Sequence, residues 1–254
     1  MKKGIIIVSF GTTFEQTRKL CIESIENRAR EQFSDYLVLR AFTSRVVISR
    51  IMKRDNVHNY NPTEALEKMK EAGITQIYIQ PLLIIEGIEY EKILKEAKDF
   101  AKGNGEINIT IAKPLLSSEE DYENVVKSLN ISKSISTVFM GHGSDHSTDA
   151  SYEKLESAIR KDGYDSAFVA TVEGEKTIED ILVELKKKNI NEVILKPFML
   201  VAGDHAINDM ASDEDHSWKR ILEANNIEVH TKIIGLGQIK QIQDIFFHHL
   251  EAIL

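Results

Sequence analysis

Short apolar runs recur along the chain, and longer segments with helical spacing of hydrophobic residues separate them. Each run has the length of a buried strand, and most are followed by glycine, serine, threonine or charged residues. The pattern predicts strands at residues 4–10, 36–42, 76–85, 107–116, 137–140, 167–172, 192–201 and 228–234. Strands that alternate with helices in this way are typical of α/β proteins with parallel sheets.

Local signals mark several of the intervening helices. A helix is predicted to begin near Phe14, and the segment 45–55 has helical spacing of apolar residues. Asn61-Pro62 begins a further helix, because proline is tolerated in a first helical turn, and Gly73 ends it.

The second half of the chain repeats the first. Two pairs of segments match: 8–13 with 140–145, and 80–89 with 196–205. In the second pair Pro81 falls on Pro197, and Gly87 falls on Gly203. We therefore predict two similar Rossmann-like halves, each with a mostly four-stranded parallel sheet, facing each other across a cleft. The predicted domains are 1–132 and 133–254, with the join within 130–136.

Composition excludes several classes of protein. The chain has 254 residues and a net charge of −8, which argues against nonspecific binding to nucleic acid. No apolar run reaches membrane-spanning length, and the apolar stretch at the N-terminus is too short for a signal peptide, so we expect a cytoplasmic protein. Cys21 is the single cysteine, which excludes a cysteine-built metal site within one chain. No Walker-type loop or complete G-x-G-x-x-G motif supports nucleotide binding.

Two histidines follow strand ends in loops rich in glycine. His142 lies between Gly141 and Gly143, and His205 comes two residues after Gly203. Glycine allows a sharp backbone turn and leaves the imidazole unshielded. A histidine that caps the next helix is the alternative, and we favour a functional role because such a residue gains little packing.

Two glutamates lie at comparable positions. Glu173 follows the strand at 167–172 and is either a ligand or the N-cap of the next helix. Glu89 belongs to a charged helix start, but the repeat aligns it with His205. The repeat also aligns His142 with Phe10 and Glu173 with Thr43, so we expect these groups to meet at one site. Four further histidines have no such support, and we interpret them as surface groups or groups behind the site: His58, His146, His216 and His230.

Two imidazoles with one or two carboxylates form a nitrogen and oxygen ligand set suited to a first-row divalent metal. Three classes of protein remain open at this point: a metal-dependent enzyme with a cleft, a periplasmic-type binding module, and a metal-dependent hydrolase. The binding module would need an export signal, and the hydrolase would usually have more carboxylates.

Longer motifs resemble one known family over essentially the whole chain. They are Ser9-Phe-Gly-Thr, Arg40-Ala-Phe-Thr-Ser44, Glu89-Tyr-Glu-Lys92, Pro114-Leu-Leu-Ser117, Val138-Phe-Met-Gly-His-Gly143 and Leu200-Val-Ala-Gly-Asp-His-Ala-Ile-Asn-Asp-Met-Ala-Ser-Asp213. The chain resembles the anaerobic sirohydrochlorin cobaltochelatases, the CbiK family of class II chelatases, which have the ferrochelatase-like fold.

The resemblance implies a reaction and a set of site residues. The implied reaction is ATP-independent insertion of Co²⁺ into sirohydrochlorin or precorrin-2 on the anaerobic route to cobalamin. His142, His205 and Glu173 would bind the metal, while the two histidines and Glu89 would act in catalysis. No cofactor is expected beyond the metal substrate. Insertion of Fe²⁺ or Ni²⁺, action as a ferrochelatase on haem precursors, and metal or tetrapyrrole binding without catalysis remain alternatives.

The implied substrate carries a ring of carboxylates, which an acidic protein must meet with local cations. Arg45, Arg50 and Arg54 follow the second predicted strand and are candidates for this contact, with Lys53 beside them. A solvated helix face is the alternative interpretation. The expected partners are therefore the tetrapyrrole and a divalent metal, without nucleic acid or membrane, and a homo-oligomer is possible.

Overall fold

Eight strands lie within residues 2–143 and 150–254, which the computed structural model describes. They are β1 Lys3–Ser9, β2 Leu37–Phe42, β3 Gln76–Pro81, β4 Asn108–Ile111, β5 Ser136–Gly141, β6 Ala167–Thr171, β7 Glu192–Pro197 and β8 Glu228–Thr231. All eight were predicted from the apolar runs. Ser144, Asp145 and His146, which entered the sequence predictions, lie outside the described residues.

Helices connect the strands. Those in the described residues are α1 Glu15–Arg18, α2 Ser24–Gln32, α3 Arg45–Asp55, α4 Pro62–Glu71, α5 Ile88–Gly103, α6 Glu119–Ser128, α7 Ala150–Lys161, α8 Ile178–Lys187, α9 Trp218–Glu223 and α10 Lys240–Glu251. A π-helical turn, Lys19–Glu23, joins α1 to α2, and a second one spans His205–Met210. The predicted start at Asn61-Pro62 is confirmed: Asn61 caps α4 in a reciprocal pair with Glu64. None of the described helices combines the length and apolar character needed to cross a membrane.

The strands form two parallel sheets of four, in the orders β2-β1-β3-β4 and β6-β5-β7-β8. In each sheet the strand that comes first in the chain lies between its two successors, so it is buried on both sides. That position explains the unbroken apolar runs of β1 and β5, since helices cover both faces of a parallel sheet. The predicted α/β class with two parallel sheets is confirmed.

Strand register confirms the internal repeat. Val8 pairs with Pro81 in the first sheet, and Met140 pairs with Pro197 in the second. The next residue bonds back in the same way, because the Leu82 N–H donates to the Val8 carbonyl and the Phe198 N–H donates to the Met140 carbonyl. These are the pairs that the sequence alignment of the halves predicted.

One predicted equivalence is wrong by a residue. The Ser44 N–H donates to the Phe10 carbonyl, and the Glu173 N–H donates to the His142 carbonyl. Because Phe10 corresponds to His142, Glu173 corresponds to Ser44 rather than to Thr43. Ser44 caps α3, whereas Glu173 caps no helix, so the two halves use this position differently.

Four predicted strands extend too far. The apolar runs at 76–85 and 192–201 continue after β3 and β7 have ended at Pro81 and Pro197. Proline has no backbone N–H to donate, and the regular strand ends there, although backbone bonds such as that from the Leu115 N–H to the Leu83 carbonyl continue beyond it. The runs stay apolar because the loop after each proline is itself packed into the core, as Leu82 and Phe198 show. The strands predicted at 107–116 and 228–234 likewise stop at Ile111 and Thr231.

Two compact units divide the chain differently from the predicted boundary at 132/133. The second unit is Ser118–Gln241, and the first contains the chain up to Ser117 together with Ile242–Leu254. Helix α6 belongs to the second unit because it packs on α7, where Lys154 pairs with Glu119 at 2.6 Å. Each unit has its own apolar core between its sheet and its helices.

Helix α10 returns to the first unit at the end of the chain. The Phe247 ring stacks on Phe33 with centroids 6.1 Å apart, and Asp244 pairs with Arg28 at 2.6 Å. A pattern of strands and helices along the chain contains no information about such a return, which explains why the sequence boundary missed it.

Phe247→Ala tests this return. The ring is buried in the first unit, so its removal is expected to cost about 3–5 kcal/mol of unfolding free energy in urea titrations. Val183→Ala removes a half-exposed side chain from α8 and is expected to cost much less. Equal losses in the two variants would contradict the packing of α10 described above.

Candidate metal site

His142 is the first residue after β5, and close packing demands the glycines on both sides of it. A Cβ atom on Gly141 would lie 2.5 Å from the Tyr152 ring. Gly143 has a φ of +82°, and a Cβ there would lie 2.5 Å from the backbone nitrogen of Gly174. The chain therefore turns at Gly143, directly after His142, whose side chain is about half exposed at 49%.

Glu173 lies beside His142 because β5 and β6 remain paired for one residue beyond their last strand positions. The Glu173 N–H donates to the His142 carbonyl at 2.9 Å, and its carboxylate Oε2 lies 3.7 Å from His142 Nδ1. The N-cap of α8 is Thr177, in a reciprocal pair with Asp180. Glu173 is therefore not the helix cap, which was the alternative to its role as a ligand.

His205 begins the π-helical turn His205–Met210, which is anchored by the buried side chains of Ala206 and Met210. Its Nδ1 lies 2.6 Å from Oδ2 of Asp209, four residues later in the same turn. A carboxylate accepts hydrogen bonds, so Nδ1 carries the proton and Nε2 keeps its lone pair. Short π-helical segments of this kind occur frequently at functional sites.

The structure brings His142, Glu173 and His205 together within the second unit. The two imidazole rings meet edge to face, with centroids 4.8 Å apart and an interplanar angle of 88°. One ligand atom from each of the three residues lies within 4.8 Å of the others. Nitrogen ligands bind first-row metals at about 2.0–2.1 Å, so side-chain shifts of less than about 1 Å would let one ion contact both rings.

Hydrogen bonds leave the same nitrogen free on each ring. His142 Nδ1 is 3.1 Å from the Gly143 carbonyl oxygen, which can only accept, so its proton lies on Nδ1 as in His205. Both Nε2 lone pairs are then available to a cation. The carboxylates of Glu173 and Asp209 lie beside the two rings, and this combination of donors favours a divalent cation over an anion.

Asp209 is the functional candidate that sequence reasoning missed. It lies in the motif that begins at Leu200 and has no role in the sequence prediction, yet its carboxylate lies 2.6 Å from His205 Nδ1. The spacing of four residues between a histidine and an aspartate was a usable signal, since such residues lie on one side of a helical turn.

Glu89 belongs to the first unit, where it lies in the first turn of α5. One carboxylate oxygen forms an ion pair with Lys92, and the other is buried without a hydrogen-bond partner among the described residues. Its predicted catalytic role stays a prediction.

The three candidate arginines lie on α3 of the first unit. Arg54 has its guanidinium engaged, with Asp55 at 2.6 and 2.7 Å and the Thr13 carbonyl at 2.8 Å. Arg45 and Arg50 are exposed and form no ion pair with the described residues. They are therefore better placed than Arg54 to meet an external carboxylate.

Comparison with known proteins gives matches along the whole chain. A family model described as cobalt chelatase (CbiK) matches residues 3–254. The sirohydrochlorin cobaltochelatase of Salmonella typhimurium is 36% identical over 259 residues, covering 100% of this chain and 97% of the relative. The sirohydrochlorin cobaltochelatase CbiKC of Nitratidesulfovibrio vulgaris is 31% identical over 258 residues, covering 99% of this chain and 90% of the relative.

Solved structures share the fold at lower identity. SirB from Bacillus subtilis with Fe³⁺ superposes with a TM-score of 0.70 at 15% identity, over 99% of this chain and 95% of that chain. The sirohydrochlorin chelatase SirB from Bacillus subtilis subspecies spizizenii, in complex with cobalt, gives a TM-score of 0.68 at 15% identity with the same coverage. At such identity the likeness shows the fold alone, and it confirms the predicted α/β fold with two parallel sheets.

Gly143→Ala tests whether close packing at the turn holds His142 in place. Gly73→Ala is the matched control, because Gly73 has a φ of +70° but no atom within 4 Å of the added Cβ. Both variants are expected to lose about 1–2 kcal/mol from the left-handed backbone. Only Gly143→Ala should lose more than this in urea unfolding and also weaken Co²⁺ binding in dialysis. Indistinguishable behaviour of the two variants would show that the contact with Gly174 does not constrain the site.

Proposed function

The chain belongs to the CbiK family of cobalt chelatases, and from that premise we propose that it is a sirohydrochlorin cobaltochelatase. It inserts Co²⁺ into sirohydrochlorin, without ATP, on the anaerobic route to cobalamin. The full-length relatives that carry this name support the proposal. The observation that carries it to particular residues is the group of His142, Glu173 and His205, in which one ligand atom from each residue lies within 4.8 Å of the others.

Insertion replaces two ring N–H protons by one divalent cation, so Co²⁺ enters and two protons leave. Neutral imidazole suits both the delivery of the metal and the removal of the protons, since the same lone pair binds a metal or accepts a proton. An Nε2 atom cannot do both at once. As the ion passes to the macrocycle, the Nε2 atoms of His142 and His205 both become free, so each can take one of the two ring protons, and the Glu173 carboxylate offsets part of the added positive charge.

Asp209 acts on the metal through His205. By accepting from Nδ1 at 2.6 Å it keeps the proton off Nε2 and orients the ring. Asp209 is thus a positioning residue in this proposal rather than a ligand.

Substrate contacts are proposed for the first unit. Arg45 and Arg50 would pair with substrate carboxylates, and Arg54 is a weaker candidate because Asp55 already occupies it. Phe10, Val46 and Ile88 are exposed apolar side chains that follow β1, β2 and β3. Parallel strands bring these three positions to one sheet edge, where they offer a flat apolar macrocycle a surface.

The internal repeat supports the proposal that the second unit binds the metal and the first unit contacts the substrate. Phe10 corresponds to His142, and Glu89 corresponds to His205, so equivalent loop positions carry apolar or acidic groups in one half and metal ligands in the other. We retain Glu89 as a proposed catalytic group that relays protons. The donor set also suits Fe²⁺ and Ni²⁺, and precorrin-2 differs little from sirohydrochlorin, so the assay should compare these metals and both tetrapyrroles.

His205→Ala tests the proposal. Loss of a direct ligand is expected to lower the rate of Co²⁺ insertion, followed by the absorbance of sirohydrochlorin, by at least about 100-fold. The exposed His248 on α10 provides the control, and His248→Ala should insert cobalt at the wild-type rate. Circular dichroism establishes that both variants fold. A folded His205→Ala protein with near-normal insertion would disprove the assignment, and tetrapyrrole binding without insertion in the wild type would favour a binding protein.

Asp209→Asn tests the positioning role separately. The KM for Co²⁺ is expected to rise about 10- to 100-fold, while the KM for the tetrapyrrole stays unchanged. Asp209→Glu, which restores a carboxylate, should recover part of the loss, and the exposed Asp215→Asn should have no effect. A general rise in both KM values, without rescue by glutamate, would show that Asp209 only supports the loop.

A further inference from the structure

A second group of candidate ligands lies at the opposite end of the second sheet from His205. Glu192 is the first residue of β7 and pairs in register with Glu228, the first residue of β8. His230 follows two residues later, so its side chain lies on the same sheet face as Glu228. One ligand atom from each of the three residues lies within 4.8 Å of the others.

The imidazole already contacts both carboxylates. His230 Nε2 is 2.9 Å from Oε1 of Glu192 and 3.6 Å from Oε1 of Glu228. The parallel pairing of β7 with β8 fixes the three backbone positions, and the Glu228 N–H reinforces it by donating to the Asn191 carbonyl at 2.8 Å. Ligands on paired strands are held more rigidly than ligands on loops.

The charge of this group is not balanced by other side chains. Like charges that face each other across adjacent strands are unfavourable. Neither Glu192 nor Glu228 forms an ion pair with a lysine or arginine among residues 2–143 and 150–254. Other carboxylates of the second unit do have such partners: Glu156 and Glu184 share Arg160 and Lys176. The imidazole offers a nitrogen ligand between the two carboxylates, and a divalent cation bound there would balance both of their charges.

We propose that Glu192, Glu228 and His230 bind a second divalent cation, separate from the one at His142 and His205. One imidazole nitrogen and two carboxylates favour a first-row ion such as Co²⁺, Ni²⁺ or Zn²⁺ over Mg²⁺ or Ca²⁺, which prefer oxygen ligands. All three side chains are at least 40% exposed, so water completes the coordination and the ion exchanges freely with solution.

The two sites share no ligand. A six-residue strand spans about 16 Å at roughly 3.3 Å per residue, and β7 lies between the cluster and the loop that leads to His205. Because β8 is an edge strand, an ion held by β7 and β8 also fixes that edge. Any ligand that binds only the folded chain raises its apparent stability, and bound metal should do so here.

Equilibrium dialysis of the full chain with Co²⁺ alone, without tetrapyrrole, tests the proposal. The wild type is expected to bind one Co²⁺ more per chain than Glu228→Gln or His230→Gln at the same free concentration. Both substitutions are at exposed positions, so the fold should be kept, and insertion activity should match the wild type. Glu67→Gln, on the exposed face of α4, is the control that changes net charge equally and should keep every bound ion.

A His205→Ala background separates this site from the first. There, Co²⁺ or Zn²⁺ should still raise the melting temperature, and adding His230→Gln should abolish the rise. If the proposed function is wrong, Glu228→Gln should still bind one Co²⁺ fewer per chain than the wild type, while His205→Ala should bind as many Co²⁺ ions as the wild type. Equal Co²⁺ binding by the wild type, Glu228→Gln and His230→Gln would overturn the second site, whatever the outcome at the first.

Discussion

The site depends on the parallel pairing of β5 with its two neighbours. β5 lies between β6 and β7, and backbone bonds continue past the strand ends: Glu173 donates to His142 and Phe198 to Met140. These bonds bring the loops after all three strands to one edge of the sheet. Without them His142, Glu173 and His205 would belong to unrelated loops, because 31 and 32 residues of chain separate each from the next. Backbone pairing, rather than attraction between the side chains, therefore assembles the ligands.

The two halves have the same backbone turn after their first strand, but they carry different side chains at that turn. Gly11 and Gly143 both have positive φ, and a Cβ at either would collide with the neighbouring strand end. The turn after the first strand is thus kept in both units for the same steric reason. The residue before it is an exposed phenylalanine in one half and an imidazole in the other. A duplicated fold can in this way present different side chains from equivalent positions of its two units.

The hydrogen bonds of the two Nδ1 atoms determine which nitrogen each histidine can offer to a metal or a proton. Each Nδ1 is committed, in His142 to a carbonyl and in His205 to Asp209, so each ring presents the nitrogen that a metal or a proton requires. The carboxylate contact fixes the His205 ring more strongly than the carbonyl contact fixes the His142 ring, since hydrogen bonds to charged groups are the stronger. His205 is therefore the more rigid of the two, in agreement with its smaller exposure of 31% against 49%.

The sequence by itself determined the strands, the duplication and the family, and it singled out His142, Glu173 and His205 as candidate ligands. These features can be recognised in the sequence alone, because each depends on a local pattern: apolar runs, prolines and glycines that recur in both halves, and long motifs. The ends of β3 and β7 could not be read in this way, since the residues after Pro81 and Pro197 are as apolar as the strands. Three findings came only from the tertiary structure. Glu173 corresponds to Ser44 rather than to Thr43, Asp209 contacts His205, and α10 packs on the first unit. Each of these depends on strand register or helix packing, which relate residues distant in sequence and leave no local pattern in the chain.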